Sequence, residues 1–183
     1  EVRKKAKELG MKIHTKSESQ EICFIPDDNY VRFLDDNYSD ISEPGPILDT
    51  DGNELGEHDG LYHYTIGQRR GLGISLNYPV YVKKLDKERN ALIVGKNEEV
   101  FSKGLIADSI NWVSISQPAE AIEVSAKIRY NANEFPATVS PLKEDEVKVI
   151  FNKKQRAVTP GQAAVFYRND MVLGGGIIKK NLP

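Results

Sequence analysis

The sequence predicts a mainly β protein with short helices, in which a small α+β central domain is followed by a six-stranded antiparallel β-barrel. Two observations indicate this fold class. From residue 105 onward, six short apolar runs follow one another with turn residues between them, as in a small closed barrel. Ahead of them, the charged turn 86–90 joins two further strand candidates into a hairpin. A chain of 183 residues, 39% of them hydrophobic, can give two such domains their own cores.

The N-terminal segment predicts short elements. Residues 1–9 alternate charged and apolar side chains before a glycine, which is typical of a helix and its stop. Residues 11–15 favour a short strand. A second helix is expected directly after Pro26, with Asp27 or Asp28 as its N-cap.

Turn signals then divide the rest of the chain into strands. Asp51-Gly52 predicts a tight hairpin, and Asn169-Asp170 links the last two strands in the same way. Strands at 80–85 and 91–94 flank the turn 86–90. The barrel strands are expected at Leu105–Val113, Ala121–Tyr130, Phe135–Val139, Val147–Phe151, Ala163–Tyr167 and Val172–Ile178.

Composition excludes several classes of protein. No window approaches 18 uncharged apolar residues, so no membrane span is predicted, and the charged N-terminus precedes no apolar stretch that could act as a secretory signal. A single cysteine, Cys23, excludes an internal disulfide framework and a cysteine-rich zinc site. These features predict a soluble protein of the cytoplasm.

The net charge of −2 averages over three unlike segments. Residues 1–16 carry six basic and two acidic side chains. Residues 17–60 carry one basic and thirteen acidic side chains, and residues 61–183 carry eighteen basic and twelve acidic side chains. The acidic segment repels a phosphate backbone, whereas the C-terminal two thirds attract one. The uneven charge distribution alone does not indicate nucleic-acid binding, because acidic loops and ordinary surface lysines explain it equally well.

Cys23 is the first candidate for chemistry. It stands between Ile22 and Phe24, which is typical of a small buried hydrophobic side chain. It also precedes the expected helix start at Pro26, and a helix N-terminus stabilises a thiolate, although the carboxylate of Glu21 would oppose that effect. The residues alone leave both interpretations open.

The glycine-rich stretch 56–73 offers two further interpretations. His58, Asp59 and His63 could be metal ligands, but the spacing does not place both histidines on one helical face and no third strong ligand is evident, so no metal is predicted. Gln68–Arg70 suits phosphate contact, because guanidinium groups match phosphate oxygens, and it is equally consistent with a solvated turn.

Three features belong to the barrel. Gly174–Gly176 lacks the Lys-Ser/Thr that a phosphate-binding loop needs, and instead indicates a bulge or barrel corner. Lys127–Tyr130 combines basic and aromatic side chains near a strand end, which suits nucleic acid but also fits an exposed edge. The turn at 159–162 displays Gln162, whose amide can both donate and accept.

Five segments together resemble the bacterial tRNA-specific 2-thiouridylases, which are tRNA-uridine 2-sulfurtransferases, and the match runs over essentially the whole chain. They are Ser19–Ile25, Gly56–Arg69, Ile128–Tyr130, Thr159–Tyr167 and Leu173–Ile178. The family has an N-terminal ATP-pyrophosphatase domain, a central domain and a C-terminal β-barrel. Because the Ser-Gly-Gly-x-Asp-Ser nucleotide loop is not found in this sequence, the resemblance implies a C-terminal fragment: 1–34 the tail of the catalytic domain, 35–104 the central domain and 105–183 a tRNA-binding barrel.

The resemblance also implies an activity. In this family ATP adenylates the wobble uridine of tRNAs for Lys, Glu and Gln, and sulfur is delivered to its C2 carbon. Cys23 matches the cysteine that receives sulfur as a persulfide from a sulfur-donor (persulfide relay) protein, and a second family cysteine would then form a disulfide with it. Arg129, Tyr130 and Gln162 match positions that contact tRNA.

Two alternatives remain open at this stage. The chain by itself is expected to be inactive, and it could serve only as a tRNA-binding module or as a barrel that binds protein. Glu18 stands where the family more usually has Asp, which puts in doubt how the segment around Cys23 is anchored.

Overall fold

The structure is a computed structural model that describes residues 1–15, 25, 27, 29–38, 43–130, 132–143 and 145–183. Two α-helices and ten β-strands lie within these ranges. They are α1 (Val2–Glu8), α2 (Tyr30–Asn37), β1 (Gly45–Leu48), β2 (Glu54–His58), β3 (Tyr81–Asp86), β4 (Ala91–Gly95), β5 (Phe101–Trp112), β6 (Ile122–Lys127), β7 (Phe135–Lys143), β8 (Glu146–Arg156), β9 (Ala163–Arg168) and β10 (Met171–Leu182). The chain divides into two compact units, Glu1–Asp40 and Ile41–Pro183.

The first unit contains helices where the sequence predicted a helix and a strand. Lys12–Thr15 forms a 3-10 helix, so the prediction of a strand there is wrong. Local side-chain hydrogen bonds favour the turn: the hydroxyl of Thr15 donates to the carbonyl of Lys12 at 3.0 Å, and His14 Nδ1 lies 2.7 Å from the carbonyl of Met11. No helix in the described ranges is long and apolar enough to cross a membrane.

Helix α2 begins later than the sequence predicted. Its N-cap is Asn29, whose side chain accepts a hydrogen bond from the backbone N–H of Arg32 at 3.0 Å. Asp27 is occupied differently, since it accepts from Arg32 Nε at 2.9 Å. The prediction that Asp27 or Asp28 caps this helix is therefore wrong.

The second unit begins with a four-stranded sheet in the order β2-β1-β4-β3. The predicted hairpin at Asp51-Gly52 joins β1 and β2, and Asp49 stabilises it by accepting the backbone N–H groups of Asp51 and Asn53. The predicted hairpin of β3 and β4 is also present, and β1 runs parallel to β4. Fully buried side chains such as Ile47, Val82 and Leu92 form the core of this sheet.

The predicted six-stranded barrel is confirmed. It is closed, with the strand order β10-β5-β8-β7-β6-β9 and antiparallel pairing throughout. Its interior is filled by buried residues that include Phe151, Phe166, Leu105 and Leu173. The two-residue turn Asn169-Asp170 links β9 to β10 as expected.

Two barrel strands differ from their predicted bounds in ways that matter for the site, and a third contains a predicted irregularity. Strand β6 ends at Lys127, so that residues 128–130 lie in the turn beyond it. Strand β8 continues to Arg156, five residues further than predicted. In β10 the register shifts between Gly175 and Ile177, which is the expected bulge.

The shortest ion pair between described barrel strands links β10 to β8. Lys179 on β10 donates from Nζ to Glu146 Oε1 on β8 at 2.8 Å. This hydrogen bond is the main reason that the pKa of the Glu146 carboxyl is lowered and the pKa of the Lys179 ammonium is raised.

Candidate nucleic-acid interface

The strand register brings the predicted RNA-contacting residues to one end of the barrel. Strands β6 and β9 are antiparallel neighbours, and Lys127 of β6 pairs with Val165 of β9. Tyr130 follows Lys127 by three positions, and Gln162 precedes Val165 by three positions. Both therefore lie beyond the same end of this strand pair, although 32 positions separate them in sequence.

Arg129 is anchored at this end through its guanidinium group. Its Nη2 donates to the main-chain carbonyl of Arg156 and, at 3.2 Å, to that of Ala157. The residue as a whole is exposed, and both of these hydrogen bonds come from Nη2, which leaves the Nε and Nη1 donors outside them. Arg129 is thus held in place by one nitrogen and can offer the others to an anion.

Tyr130 and Gln162 present their side chains to solvent. Tyr130 is 84% exposed, which is unusual for a large aromatic residue and suits stacking on an unpaired base. Gln162 is exposed as well, but its backbone is fixed, since its N–H donates to Thr159 at 3.3 Å and its carbonyl accepts from the N–H of Ile178 at 2.8 Å. The arrangement combines a fixed cation, an aromatic face and an amide.

Arg156 connects this barrel end to the four-stranded sheet. Its Nη2 donates to the carbonyl of Gly67 at 2.9 Å, and its guanidinium carbon lies 5.1 Å from the ring centre of Tyr81. Ala157, the next residue, donates its N–H to the carbonyl of Val100 at 2.7 Å. The sequence does not single out Arg156, because its partners lie 89 and 75 positions away and the residues before it, Asn152–Gln155, are polar.

The histidines of the glycine-rich stretch are structural. His58 is fully buried, and both ring nitrogens are in use: Nε2 lies 3.0 Å from the carbonyl of Asn90, and Nδ1 accepts the N–H of Gly60 at 3.1 Å. His63 lies against the ring of Tyr62, with the ring centres 4.2 Å apart. Among the described residues, no group of three or more His, Cys, Asp or Glu is placed to hold a metal ion.

Comparisons with known proteins assign the two parts of the chain. Residues 102–178 match the family described as the aminomethyltransferase beta-barrel domain, and residues 32–96 match the tRNA methyl transferase PRC-barrel domain. The chain is 64% identical over 181 residues to the tRNA-specific 2-thiouridylase MnmA of Halothermothrix orenii, covering 99% of this chain and 51% of the relative.

The chain belongs to the tRNA-specific 2-thiouridylase family.

Other members of the 2-thiouridylase family align in the same way. The protein of the same name from Acetivibrio thermocellus is 50% identical over 98% of this chain and 50% of its own length. That from Clostridium perfringens is 46% identical over 99% of this chain and 50% of its own length. The chain spans about half the length of the curated relatives that it matches.

The structure describes part of the site that the 2-thiouridylase resemblance implies. It brings Arg129, Tyr130 and Gln162 to one barrel end, an arrangement that follows from the strand register and that the sequence alone does not show. Cys23 lies outside the described residues. The first residue of α2 comes seven positions after Cys23, so the sequence argument for a thiolate directly before a helix start loses its basis.

Proposed function

We propose that this chain is part of a tRNA 2-thiouridylase, which transfers persulfide sulfur to C2 of the ATP-activated wobble uridine of tRNAs for Lys, Glu and Gln. The observation that carries the proposal is the 64% identity to a 2-thiouridylase across 99% of this chain. The anchored Arg129 beside the exposed Tyr130 and Gln162 supports it, since cationic and aromatic groups together suit an RNA backbone and an unstacked base.

In this proposal Cys23 is the sulfur carrier. Its thiolate attacks the terminal sulfur of a persulfide on a sulfur-relay protein, which leaves as a thiolate, and Cys23 becomes the persulfide. The terminal sulfur then bonds to C2 of the activated uridine, whose oxygen leaves with its activating group. A second thiol attacks the sulfur of Cys23, so that the bond to the thiolated uridine breaks and a disulfide forms.

The second thiol and the ATP site are assigned to other parts of the protein. The sequence holds one cysteine and no Ser-Gly-Gly-x-Asp-Ser loop. Its glycine triplet does not fit a nucleotide, because a Cβ at Gly174 or Gly176 would lie 2.5 or 2.4 Å from a main-chain oxygen of strand β5. These glycines are packed between strands and are not open to a phosphate.

A second candidate function is that the chain alone is a non-catalytic tRNA-binding module. The exposed cluster at the barrel end favours it, because RNA binding needs only groups that the described residues already hold. Both candidate functions have tRNA as the partner and the cytoplasm as the location.

The decisive experiment uses the full-length protein with Cys23→Ser. We expect thiolation of a wobble-uridine tRNA, supplied with ATP and a persulfide donor, to fall below detection by nucleoside mass spectrometry, while tRNA binding stays unchanged. Thiolation at the wild-type rate would exclude Cys23 as the carrier.

The binding function is tested in the same protein with Arg129→Ala. We expect weaker tRNA binding than for the matched control Arg168→Ala, which removes the same charge from an exposed position at the opposite end of β9. Equal affinities for the two variants would argue against the barrel end as the RNA site. The 183-residue chain should bind the tRNA without thiolating it, and thiolation by that chain alone would refute the module hypothesis.

A further inference from the structure

The turn after Gly67 is held rigidly by its own backbone. Gly67 donates its N–H to the carbonyl of Val82 at 2.7 Å, and Val82 donates in return to the carbonyl of Gln68 at 2.9 Å. The N–H of Gln68 donates to Thr65 at 2.9 Å. The turn is therefore joined to strand β3 and is part of the folded sheet.

The side chain of Gln68 braces the turn from inside. Its Oε1 accepts the N–H of Thr65 at 2.9 Å, and its Nε2 donates to the carbonyl of Arg70 at 2.9 Å. Both ends of the Gln68 amide are therefore used within the turn. The positive charge of the turn is carried by the two arginines that follow. Arg69 and Arg70 are exposed, and neither guanidinium has an ion pair or hydrogen bond to any residue that the structure describes.

The segment of chain that contains the turn carries no acidic side chain. The 25 residues from 61 to 85 contain no Asp or Glu. Arg69 also lines a shallow groove of about 280 Å³ together with the exposed ring of Tyr78, and Lys96 Nζ lies 5.9 Å from the centre of that ring. An unpaired guanidinium group beside an exposed aromatic ring, with a second unpaired guanidinium on the next residue, suits a nucleic-acid strand.

This turn is continuous with the barrel end described above. Gly67, one residue before Gln68, accepts a hydrogen bond from the side chain of Arg156, and the carbonyl of Arg156 accepts one from Arg129. Arg156 therefore contacts both Arg129 in the barrel and the turn that follows Gly67. All of these groups lie in the same compact unit, and these hydrogen bonds join the two surfaces.

We propose that Arg69 and Arg70 contact RNA phosphates, so that the tRNA-binding face extends from the barrel onto the central four-stranded sheet. This inference rests on the proposed tRNA-binding function and deepens it. Arg156 acts in it as a positioning residue, since its side chain sets the place of the turn relative to Arg129.

The test compares two double variants of the 183-residue chain. Arg69→Ala/Arg70→Ala removes the proposed contacts. Lys87→Ala/Arg89→Ala removes the same charge from exposed positions in the β3–β4 turn, at the far end of β3 from Val82. The probe is an in vitro transcribed tRNA with a wobble uridine, and its dissociation constant is measured from about 50 to 200 mM salt.

We expect the Arg69/Arg70 variant to bind more weakly and its log–log salt slope to be shallower by about 1.5, since each lost phosphate contact removes about 0.7–0.9. The control variant should keep the wild-type slope. Equal slopes for the wild type and the Arg69/Arg70 variant, or equal losses in both variants, would overturn the inference and assign the turn to a protein partner or to general charge. A wild-type chain that binds no tRNA would instead overturn the proposed tRNA-binding module, on which this inference rests.

Discussion

The guanidinium group of Arg156, at the end of barrel strand β8, lies 5.1 Å from the ring centre of Tyr81, at the start of sheet strand β3. The same guanidinium donates to the carbonyl of Gly67 at 2.9 Å. Arg156 thus contributes a cation–π contact and a charged hydrogen bond between two parts of the chain that have separate cores. This side chain joins the turn at Gly67, which is otherwise held by backbone hydrogen bonds to Val82, to the barrel.

Arg156→Ala should reduce the free energy of unfolding by about 2 kcal/mol, because a charged hydrogen bond and a partly shielded cation–π contact are lost together. Chemical denaturation measures this loss. The matched control is Lys154→Ala, an exposed position on the same strand, which should change stability by less than about 0.5 kcal/mol. Equal values for the two variants would show that the contact does not stabilise the fold.

Gly67→Ala should destabilise the protein more than Gly52→Ala. Both glycines have a left-handed backbone, with φ of +87° and +89°, so each substitution costs about 1–2 kcal/mol for conformation alone. At Gly52 nothing lies within 4 Å of the new Cβ, whereas at Gly67 it would lie 2.8 Å from the Cβ of Ala157. We expect an additional loss of about 1–3 kcal/mol at Gly67, measured by urea unfolding. Similar losses of unfolding free energy at both positions would show that the turn and the barrel move apart to accept the new Cβ without loss of stability.

Tyr130→Ala should weaken tRNA binding without changing its salt dependence, because the ring contributes stacking of about 1–3 kcal/mol and no charge. Tyr130→Phe keeps the ring and should bind almost as the wild type does. Fluorescence anisotropy with a labelled tRNA at several salt concentrations separates the two effects. A shallower slope for Tyr130→Ala would indicate that the ring acts by placing a cation. At 84% exposure, the change to Ala should leave the melting temperature unchanged.

The ion pair of Glu146 and Lys179 should make stability depend on pH. The pKa of Glu146 is lowered from 4.5, so its contribution is present above that pH and is lost as the pH falls through the folded value. The pKa of Lys179 is raised from 10.5, so its contribution is present below that pH and is lost as the pH rises through the folded value. The difference in unfolding free energy between the wild type and Lys179→Met should therefore be constant from about pH 5 to 10 and shrink outside that range.

The control for the pH experiment is Lys154→Met, which removes an exposed charge from β8. Its stability difference from the wild type should stay near zero through the acid limb. A Lys179→Met difference that persisted unchanged to pH 2 would mean that the hydrogen bond to Glu146 does not account for the stabilisation.

The barrel was predictable because its interior positions alternate along each strand, as in the buried Val147, Val149 and Phe151 of β8. The continuation of β8 to Arg156 was not predictable, since Asn152–Lys154 face solvent and resemble a polar loop. The helix cap was misplaced for a similar reason: Asp27 is as good a cap as Asn29 by residue type, and only the engagement of Asp27 with Arg32 decides between them.

The site was predictable in its residue types but not in its arrangement. Arg129, Tyr130 and Gln162 were identified from family motifs, while their meeting at one barrel end follows from the pairing of Lys127 with Val165. The anchoring of Arg129 depends on carbonyl groups, which every residue carries and no sequence pattern marks. The interpretation of Gln68 as a phosphate contact gave way to a bracing role because its amide is used within its own turn.

The pairing of Gly67 and Gln68 with Val82 has a consequence for solubility. Strand β3 is an edge of the four-stranded sheet, and an open edge is a template on which another chain can add a strand. The turn occupies the N–H and carbonyl of Val82, so part of that edge is closed by the chain itself. Insertions or proline substitutions that pull the turn away should therefore promote self-association at this edge, in addition to any loss of RNA binding.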